Sequence, residues 1–168
     1  MAGRFSVVPL DPGADRSGFE CGVEPLDRYF KTQVSQDIKR RVTACFTALD
    51  GNGRVAGYYT LASASILLTD LPENLAKKLP RYPNVPAVRM GRLAVDQGFK
   101  GKGLGAALLA DALRRAATAE IAAYAFVVDA KDEGAAGFYA HHGFRATVEN
   151  PLLLYLPLAT VKGLVKLS

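Results

Sequence analysis

The order of elements in the second half of the chain is the feature that most restricts the fold. Val88–Val95 has the composition of a strand, and Gln97–Gly103 after it is a loop rich in glycine and lysine. A helical stripe and a second strand, Tyr124–Val128, follow. The stripe consists of Leu104, Leu108, Leu109, Ala112 and Leu113. Two strands joined through a helix predict a parallel pair with a crossover helix.

The first half predicts antiparallel strands. Phe5–Val8 is a short opening strand, and a helical pattern begins at Pro25, a residue suited to a first helical turn. The pattern repeats at Leu26, Tyr29, Phe30, Gln33, Val34 and Ile38. Val42–Leu49 and Val55–Leu61 are strands separated by the sequence Asp-Gly-Asn-Gly, a strong hairpin signal. We therefore expect these two strands to pair antiparallel.

The remaining segments complete a mixed sheet. Leu71–Lys78 predicts a short helix, and three prolines after it predict an extended connection. These are Pro80, Pro83 and Pro86. Glu133–His142 predicts a helix, and Phe144–Val148 and Leu152–Leu156 predict closing strands. The predicted fold class is α/β, an α+β mixed sheet with helices on both faces, built as a single domain over residues 1–168.

Composition excludes several classes of protein. About half of the 168 residues are apolar (49%), which is enough to form a core. The sequence contains no run of 18 or more apolar residues, so it predicts no membrane span. The start of the chain has no signal-peptide layout. The two cysteines have no paired spacing, so we expect no disulfide framework, no metal site and a cytoplasmic protein. The net charge of +5 favours polyanionic partners only weakly.

The glycine-rich loop is the strongest chemical signal. Its glycines let the backbone approach a ligand, and the following helix directs its N-terminal N–H groups and its positive dipole end at an anion. The loop residues are Lys100, Gly101, Lys102, Gly103, Leu104, Gly105 and Ala106. A Walker loop requires Ser or Thr after its lysine, whereas Gly103 follows Lys102. That interpretation therefore fails.

Two other interpretations of the loop stay open. Gly101, Gly103 and Ala106 fit a dinucleotide-binding fingerprint, with Asp129 at a suitable distance along the chain. However, Asp96–Lys100 separate the strand from the first glycine, and the chain after Asp129 is too short for the rest of such a domain. The second alternative is a flexible loop without a ligand.

Three segments together resemble the GNAT family of acetyltransferases. Lys100–Gly105 resembles the family's Q/R-x-x-G-x-G/A loop, with lysine where glutamine or arginine is usual. Arg92–Val95 resembles its cofactor strand, and Ala135–Phe144 resembles its closing A-x-x-F-Y-x-x-x-G-F segment. The resemblance implies an N-acetyltransferase that binds acetyl-CoA through two groups of residues. These are the loop residues named above and, outside the loop, Leu93, Ala94, Val95 and Phe138.

The resemblance also implies a mechanism. Tyr139 matches the tyrosine that protonates the departing sulfur in the family, and a backbone N–H near Leu93–Val95 would polarise the thioester carbonyl. We interpret His141 and His142 as a helix end rather than as bases. No other base stands out. Because an α-amine with a pKa near 8 loses its proton more readily than lysine does, this favours an activated α-amine as the acceptor.

Further segments resemble one group within that family, the bacterial GNAT toxins of toxin–antitoxin pairs. They are Cys21–Tyr29, Gly57–Leu61, Leu79–Pro83 and Gly91–Asp96. The resemblance implies acetylation of the α-amine of aminoacyl-tRNA, which blocks translation, together with a ribbon–helix–helix antitoxin and a homodimer. Candidate contacts to tRNA phosphates are Lys39, Arg40, Arg41, Lys77, Lys78, Arg81, Arg89 and Arg92.

Two alternatives to this function remain open at this point. The first is an acetyltransferase of a small amine or a protein N-terminus, which needs no basic surface. The second is a non-catalytic module that binds acetyl-CoA, which would be indifferent to the loss of Tyr139.

Overall fold

A computed structural model describes residues 5–161 and contains one seven-stranded mixed sheet. The strands are β1 (Ser6–Pro9), β2 (Ala44–Leu49), β3 (Val55–Leu67), β4 (Asn84–Val95), β5 (Ala125–Asp129), β6 (Arg145–Ala146) and β7 (Leu153–Pro157). Their order in the sheet is β1-β2-β3-β4-β5-β7-β6. The helices are α1 (Glu24–Thr32), α2 (Val34–Lys39), α3 (Glu73–Ala76), α4 (Leu104–Thr118) and α5 (Glu133–His141).

By their contacts the described residues divide into two compact units, and the first comprises residues 5–62 together with 91–112. In this unit β1 pairs antiparallel with β2, and β2 pairs antiparallel with β3 across the predicted hairpin. Its core contains an aromatic cluster in which the ring of Phe30 stacks on Tyr58 at a centroid distance of 4.3 Å. Phe19 meets both rings edge-on. This packing holds α1 against the strands.

The second unit comprises residues 63–90 and those from 113 onward. Here β4 and β5 are parallel, with Ala87 opposite Ala125 and Met90 opposite Val128. Strand β7 pairs antiparallel with both β5 and β6. All but the last residue of β5 is buried, as a strand covered on both faces requires.

The structure confirms the predicted mixed sheet, the hairpin and the parallel pair, and it corrects several element bounds. The single helical pattern after Pro25 is two helices, because Gln33 leaves helical geometry (φ −126°, ψ −31°). Phe30 and Val34, on either side of the break, are both fully buried. The apolar pattern thus continues across the break, so that periodicity alone does not reveal it.

The predicted strand Val88–Val95 begins earlier than expected, within the connection that was predicted to be extended. Strand β4 begins at Asn84 and includes Pro86, which is exposed. The carbonyl of Pro86 still accepts a hydrogen bond from the N–H of Tyr124 at 2.9 Å. Of the predicted closing strand Phe144–Val148, only Arg145–Ala146 pairs. The predicted helix over Leu71–Lys78 is shortened to α3.

Candidate functional site

The glycine-rich loop of the first unit has the geometry of an open anion cradle. Gly101 and Gly103 adopt positive φ angles of 79° and 77°, a conformation that side chains disfavour. A Cβ atom built on either glycine meets nothing within 4 Å, so the space above the loop is open. Helix α4 begins immediately after it, at Leu104. The first N–H groups of a helix lack acceptors within the helix, and they are available to an anion here.

Asp96 fixes the start of this loop. The residue is 3% exposed, and its carboxylate accepts hydrogen bonds from the N–H groups of Gly98 (2.8 Å) and Glu20 (3.0 Å). The carbonyl of Glu20 in turn accepts from the N–H of Gln97 at 2.8 Å. The segment before α1 and the loop are therefore joined by several bonds that local sequence patterns did not predict.

Lys100 takes part in the same connection. Its ammonium donates a hydrogen bond to the carbonyl oxygen of Cys21 at 2.6 Å. Lys102 is exposed, as Lys100 is, but among the described residues it makes no such bond, and its ammonium lies 5.6 Å from the ring centroid of Phe99. The two loop lysines therefore have different contacts: Lys100 joins the loop to the segment before α1 through a hydrogen bond, and Lys102 does not.

The segment of β4 that was predicted to bind the cofactor packs tightly against β3. Ala94 is buried, and its carbonyl oxygen lies only 2.9 Å from the position that a Cβ atom on Gly57 would occupy. Leu108 of α4 lies 2.8 Å from the same position. The lack of a side chain on Gly57 is what allows α4 and this part of β4 to approach.

Tyr139 lies in the second unit, on α5. This helix is capped at its start by the carboxylate of Asp132, which accepts from the N–H of Ala135 at 2.8 Å. The ring of Tyr139 contacts those of Phe138 and Phe144, at centroid distances of 5.2 and 5.5 Å. Its hydroxyl has no hydrogen-bond partner between residues 5 and 161. The ring is thus held by packing, while the hydroxyl remains available.

Burial raises the pKa of Tyr139 from 10 to about 12. A tyrosine with this pKa carries its proton in nearly every molecule at neutral pH. The side chain therefore meets the first requirement of a proton or hydrogen-bond donor. The helix end after it matches the prediction for the histidines: His142 follows the last helical residue, and Gly143 adopts a positive φ of 94°.

The predicted basic residues differ in their surroundings. Arg89 already has an acidic partner, Asp129, at 3.0 Å. The guanidinium carbon of Arg92 lies 3.4 Å from the ring centroid of Tyr29 in the first unit. The remaining candidates are exposed: Lys39, Arg40 and Arg41 at the end of α2, and Lys77, Lys78 and Arg81 after α3.

Two absences hold for the part of the chain that the structure describes. Within residues 5–161 no three His, Cys, Asp or Glu side chains come together as a metal site would require. No helix in this range has the length and apolar character needed to cross a bilayer.

Comparison with known proteins identifies the family. Residues 20–152 match the acetyltransferase (GNAT) domain family. The chain is 32% identical to a tRNA-acetylating toxin of Mycobacterium tuberculosis, covering 98% of this chain and 99% of that protein. It is 30% identical to a probable toxin, TacT, of Sinorhizobium fredii, covering 98% and 97%. This chain belongs to the GNAT acetyltransferase family.

Solved structures agree with this assignment. A tyrosine-to-phenylalanine mutant of KacT superposes with a TM-score of 0.90 at 30% identity, covering 96% of this chain and 99% of that one. AtaT in complex with acetyl-methionyl-tRNA gives a TM-score of 0.89 at 30% identity and the same coverage. AtaTR bound with acetyl-CoA gives 0.82 at 29%, covering 97% and 99%. The similarity extends over nearly the whole chain in each case.

Proposed function

We propose that this protein is a toxin that transfers the acetyl group of acetyl-CoA to the α-amine of aminoacyl-tRNA and thereby blocks translation. The observation that carries the proposal is the similarity, over nearly the full length of both chains, to a tRNA-acetylating toxin. The solved complex of AtaT with acetyl-methionyl-tRNA supports the same substrate class. Because an acylated α-amine cannot attack the next peptidyl ester, its acetylation stops the use of that tRNA in elongation.

The residues of the loop fit the diphosphate of acetyl-CoA. The space above Gly101 and Gly103 is open. The first N–H groups of α4 have no acceptor within the helix and can bind an anion in this space. We assign the contacts to the backbone of Lys100–Ala106 and to the ammonium of Lys102. The ammonium of Lys100 already donates a hydrogen bond to the carbonyl of Cys21, so we assign it the structural role of holding the loop in place. Leu93, Ala94 and Val95 supply backbone groups, and Phe138 supplies apolar surface.

Acetyl-CoA supplies an acetyl group activated as a thioester. The reaction forms a C–N bond, breaks the C–S bond and moves one proton from nitrogen to sulfur. Tyr139 is our candidate donor of that proton, because its raised pKa keeps the phenol protonated at the pH of the cell. An α-amine with a pKa near 8 is partly neutral there without an enzymic base, in accord with the absence of an obvious base in the sequence.

The remaining assignments belong to the same proposal. We infer a single domain over the whole chain, a cytoplasmic location, a homodimer and a ribbon–helix–helix antitoxin. AtaT bound to the C-terminus of the antitoxin AtaR and the KacTA–DNA complex support the antitoxin. Size-exclusion chromatography with light scattering of the purified chain tests the dimer directly.

The proposed function is tested by label transfer from radiolabelled acetyl-CoA. The acceptors are charged tRNA, deacylated tRNA and a panel of free amines, each with the wild-type protein and with Tyr139→Phe. We expect label in charged tRNA alone, and much less of it with the variant. Label in free amines, with none in charged tRNA, would leave an acetyltransferase of another substrate class.

A further inference from the structure

Arg92 occupies an unusual position among the basic residues of the chain. Its guanidinium lies over the ring of Tyr29, which is 5% exposed, and the short distance of 3.4 Å means stacking on the ring face. The hydroxyl of Tyr29 donates a hydrogen bond to the carboxylate of Asp37 at 2.8 Å. Tyr29 belongs to α1 and Asp37 to α2, so this bond also joins the two helices across the break at Gln33.

Stacking fixes the guanidinium and leaves its donors unused. The five N–H groups of arginine lie in the plane of the guanidinium, so a ring against its face does not block them. Within residues 5–161 no acceptor and no carboxylate pairs with them. Arg28, Arg54 and Arg89 differ in this respect, since each has an acidic partner.

Among residues 5–161 no acidic side chain forms a direct ion pair with Arg92; the nearby carboxylate of Asp37 is bonded to the hydroxyl of Tyr29 instead. Tyr29, Cys45 and Tyr58 are among the groups close enough to interact electrostatically with it. Burial is the main cause that raises the pKa of each of the three above its ordinary value, so each is uncharged at pH 7. A half-buried guanidinium that is held by stacking, has no direct ion pair and keeps its in-plane donors free has the chemistry of a phosphate-binding group.

The position of Arg92 along the chain indicates which phosphate. It directly precedes Leu93–Val95, the segment of β4 that we assign to the reactive arm of acetyl-CoA. An aminoacyl-tRNA carries its amine on the terminal nucleotide, so the phosphates nearest to the reacting amine are those of its last nucleotides. Resting on the proposed function, we propose that Arg92 binds a phosphodiester of the tRNA acceptor end, and that Tyr29 and Asp37 are the positioning residues that hold it.

The test measures binding of charged tRNA as a function of salt, with acetyl-CoA binding measured separately. Each phosphate contact with single-stranded RNA contributes about 0.7 to the slope of log affinity against log salt. For Arg92→Gln we expect an affinity for charged tRNA that is lower by about tenfold, a slope smaller by about 0.7, and unchanged acetyl-CoA affinity. Arg28→Gln removes a guanidinium that is paired with Glu24, and as the matched control it should change neither quantity.

Variants of Tyr29 separate positioning from mere stability. Tyr29→Phe keeps the ring and should keep the salt slope, with affinity lowered by about two- to threefold through the loss of the bond to Asp37. Tyr29→Leu removes the ring and should lose affinity and slope as Arg92→Gln does. Arg92→Lys keeps the charge but loses the planar fork, so its slope should persist while its affinity falls. If Tyr29 had only a structural role, Tyr29→Leu would have a lower melting temperature. Its salt dependence of tRNA binding, measured well below that temperature, would then equal that of the wild type.

Three results would overturn the inference. An unchanged slope and affinity in Arg92→Gln would mean that Arg92 contacts no phosphate of the tRNA. A fall in acetyl-CoA affinity, with tRNA binding intact, would assign the phosphate to the cofactor instead. If the wild-type protein neither binds nor acetylates charged tRNA, the proposed function fails as well; if it does both and Arg92→Gln matches it, only this inference fails.

Discussion

One methyl group added at Gly57 should destabilise the protein and weaken its acetyl-CoA site together. A Cβ atom at this position would lie 2.8 Å from Leu108 Cδ1 and 2.9 Å from the carbonyl oxygen of Ala94. The leucine can rotate away, but the carbonyl belongs to the backbone of β4. The added volume must therefore be accommodated by a shift of this strand.

The size of the effect follows from these contacts. Overpacking of a core typically lowers the free energy of unfolding by about 1–3 kcal/mol. Because the clash at Gly57 involves backbone, we expect Gly57→Ala to lie in the upper part of this range, at about 2–3 kcal/mol. For a chain of this size each kcal/mol lowers the melting temperature by about 2–4 °C, so we expect a fall of about 4–12 °C. Because Ala94 lies in the proposed cofactor strand, the stabilisation by a fixed concentration of acetyl-CoA should also be smaller than in the wild type.

Gly137→Ala is the matched control, since the same methyl group is added in open space. Gly137 lies within α5, is exposed, and has nothing within 4 Å of a built Cβ atom. Replacing a helical glycine by alanine stabilises by about 0.5–1 kcal/mol, so this melting temperature should rise by about 1–4 °C. Thermal unfolding followed by circular dichroism measures both variants. If the two substitutions shift the melting temperature in the same direction, the packing argument at Gly57 is refuted.

Three further predictions concern single side chains. Tyr139→Phe should lower turnover by about 10²–10⁴-fold and leave the affinity for acetyl-CoA unchanged. Because the pKa of Tyr139 is about 12, the rate–pH profile of the wild-type protein should show no loss of turnover from ionisation of this residue up to about pH 11. Lys100→Met removes the bond to the Cys21 carbonyl and should lower the melting temperature by about 2–4 °C, whereas Lys102→Met should leave it unchanged and weaken acetyl-CoA binding in calorimetry. Asp132→Ala removes the cap of α5 and should cost about 0.5–2 kcal/mol in denaturant unfolding.

Local sequence signals predicted the parts of the fold that depend on neighbours in the chain. The Asp-Gly-Asn-Gly turn predicts the hairpin of β2 and β3, and the strand–loop–helix order predicts the parallel pair of β4 and β5. The glycines of the loop predict its positive φ angles. Such signals act over a few residues and can be recognised without knowledge of the core.

Features that depend on distant residues could not be predicted in this way. The apolar periodicity continues across the break at Gln33 and does not signal it, and the carbonyl of Pro86 finds its partner in the distant N–H of Tyr124. The bond from Lys100 to Cys21 joins residues 79 positions apart, and Arg92 finds Tyr29 through the fold rather than through spacing. The sequence therefore predicted which residue types form the candidate site, but not which of them support one another.

The central claim is that the acceptor is the α-amine of an aminoacyl-tRNA, and the acetylated product tests it most directly. Charged tRNA is incubated with the protein and acetyl-CoA and then digested with nuclease, and the terminal nucleoside is analysed by mass spectrometry. We predict N-acetyl-aminoacyl adenosine with the wild-type protein and little of it with Tyr139→Phe. An unmodified aminoacyl adenosine, from a preparation that still binds acetyl-CoA, would contradict the claim.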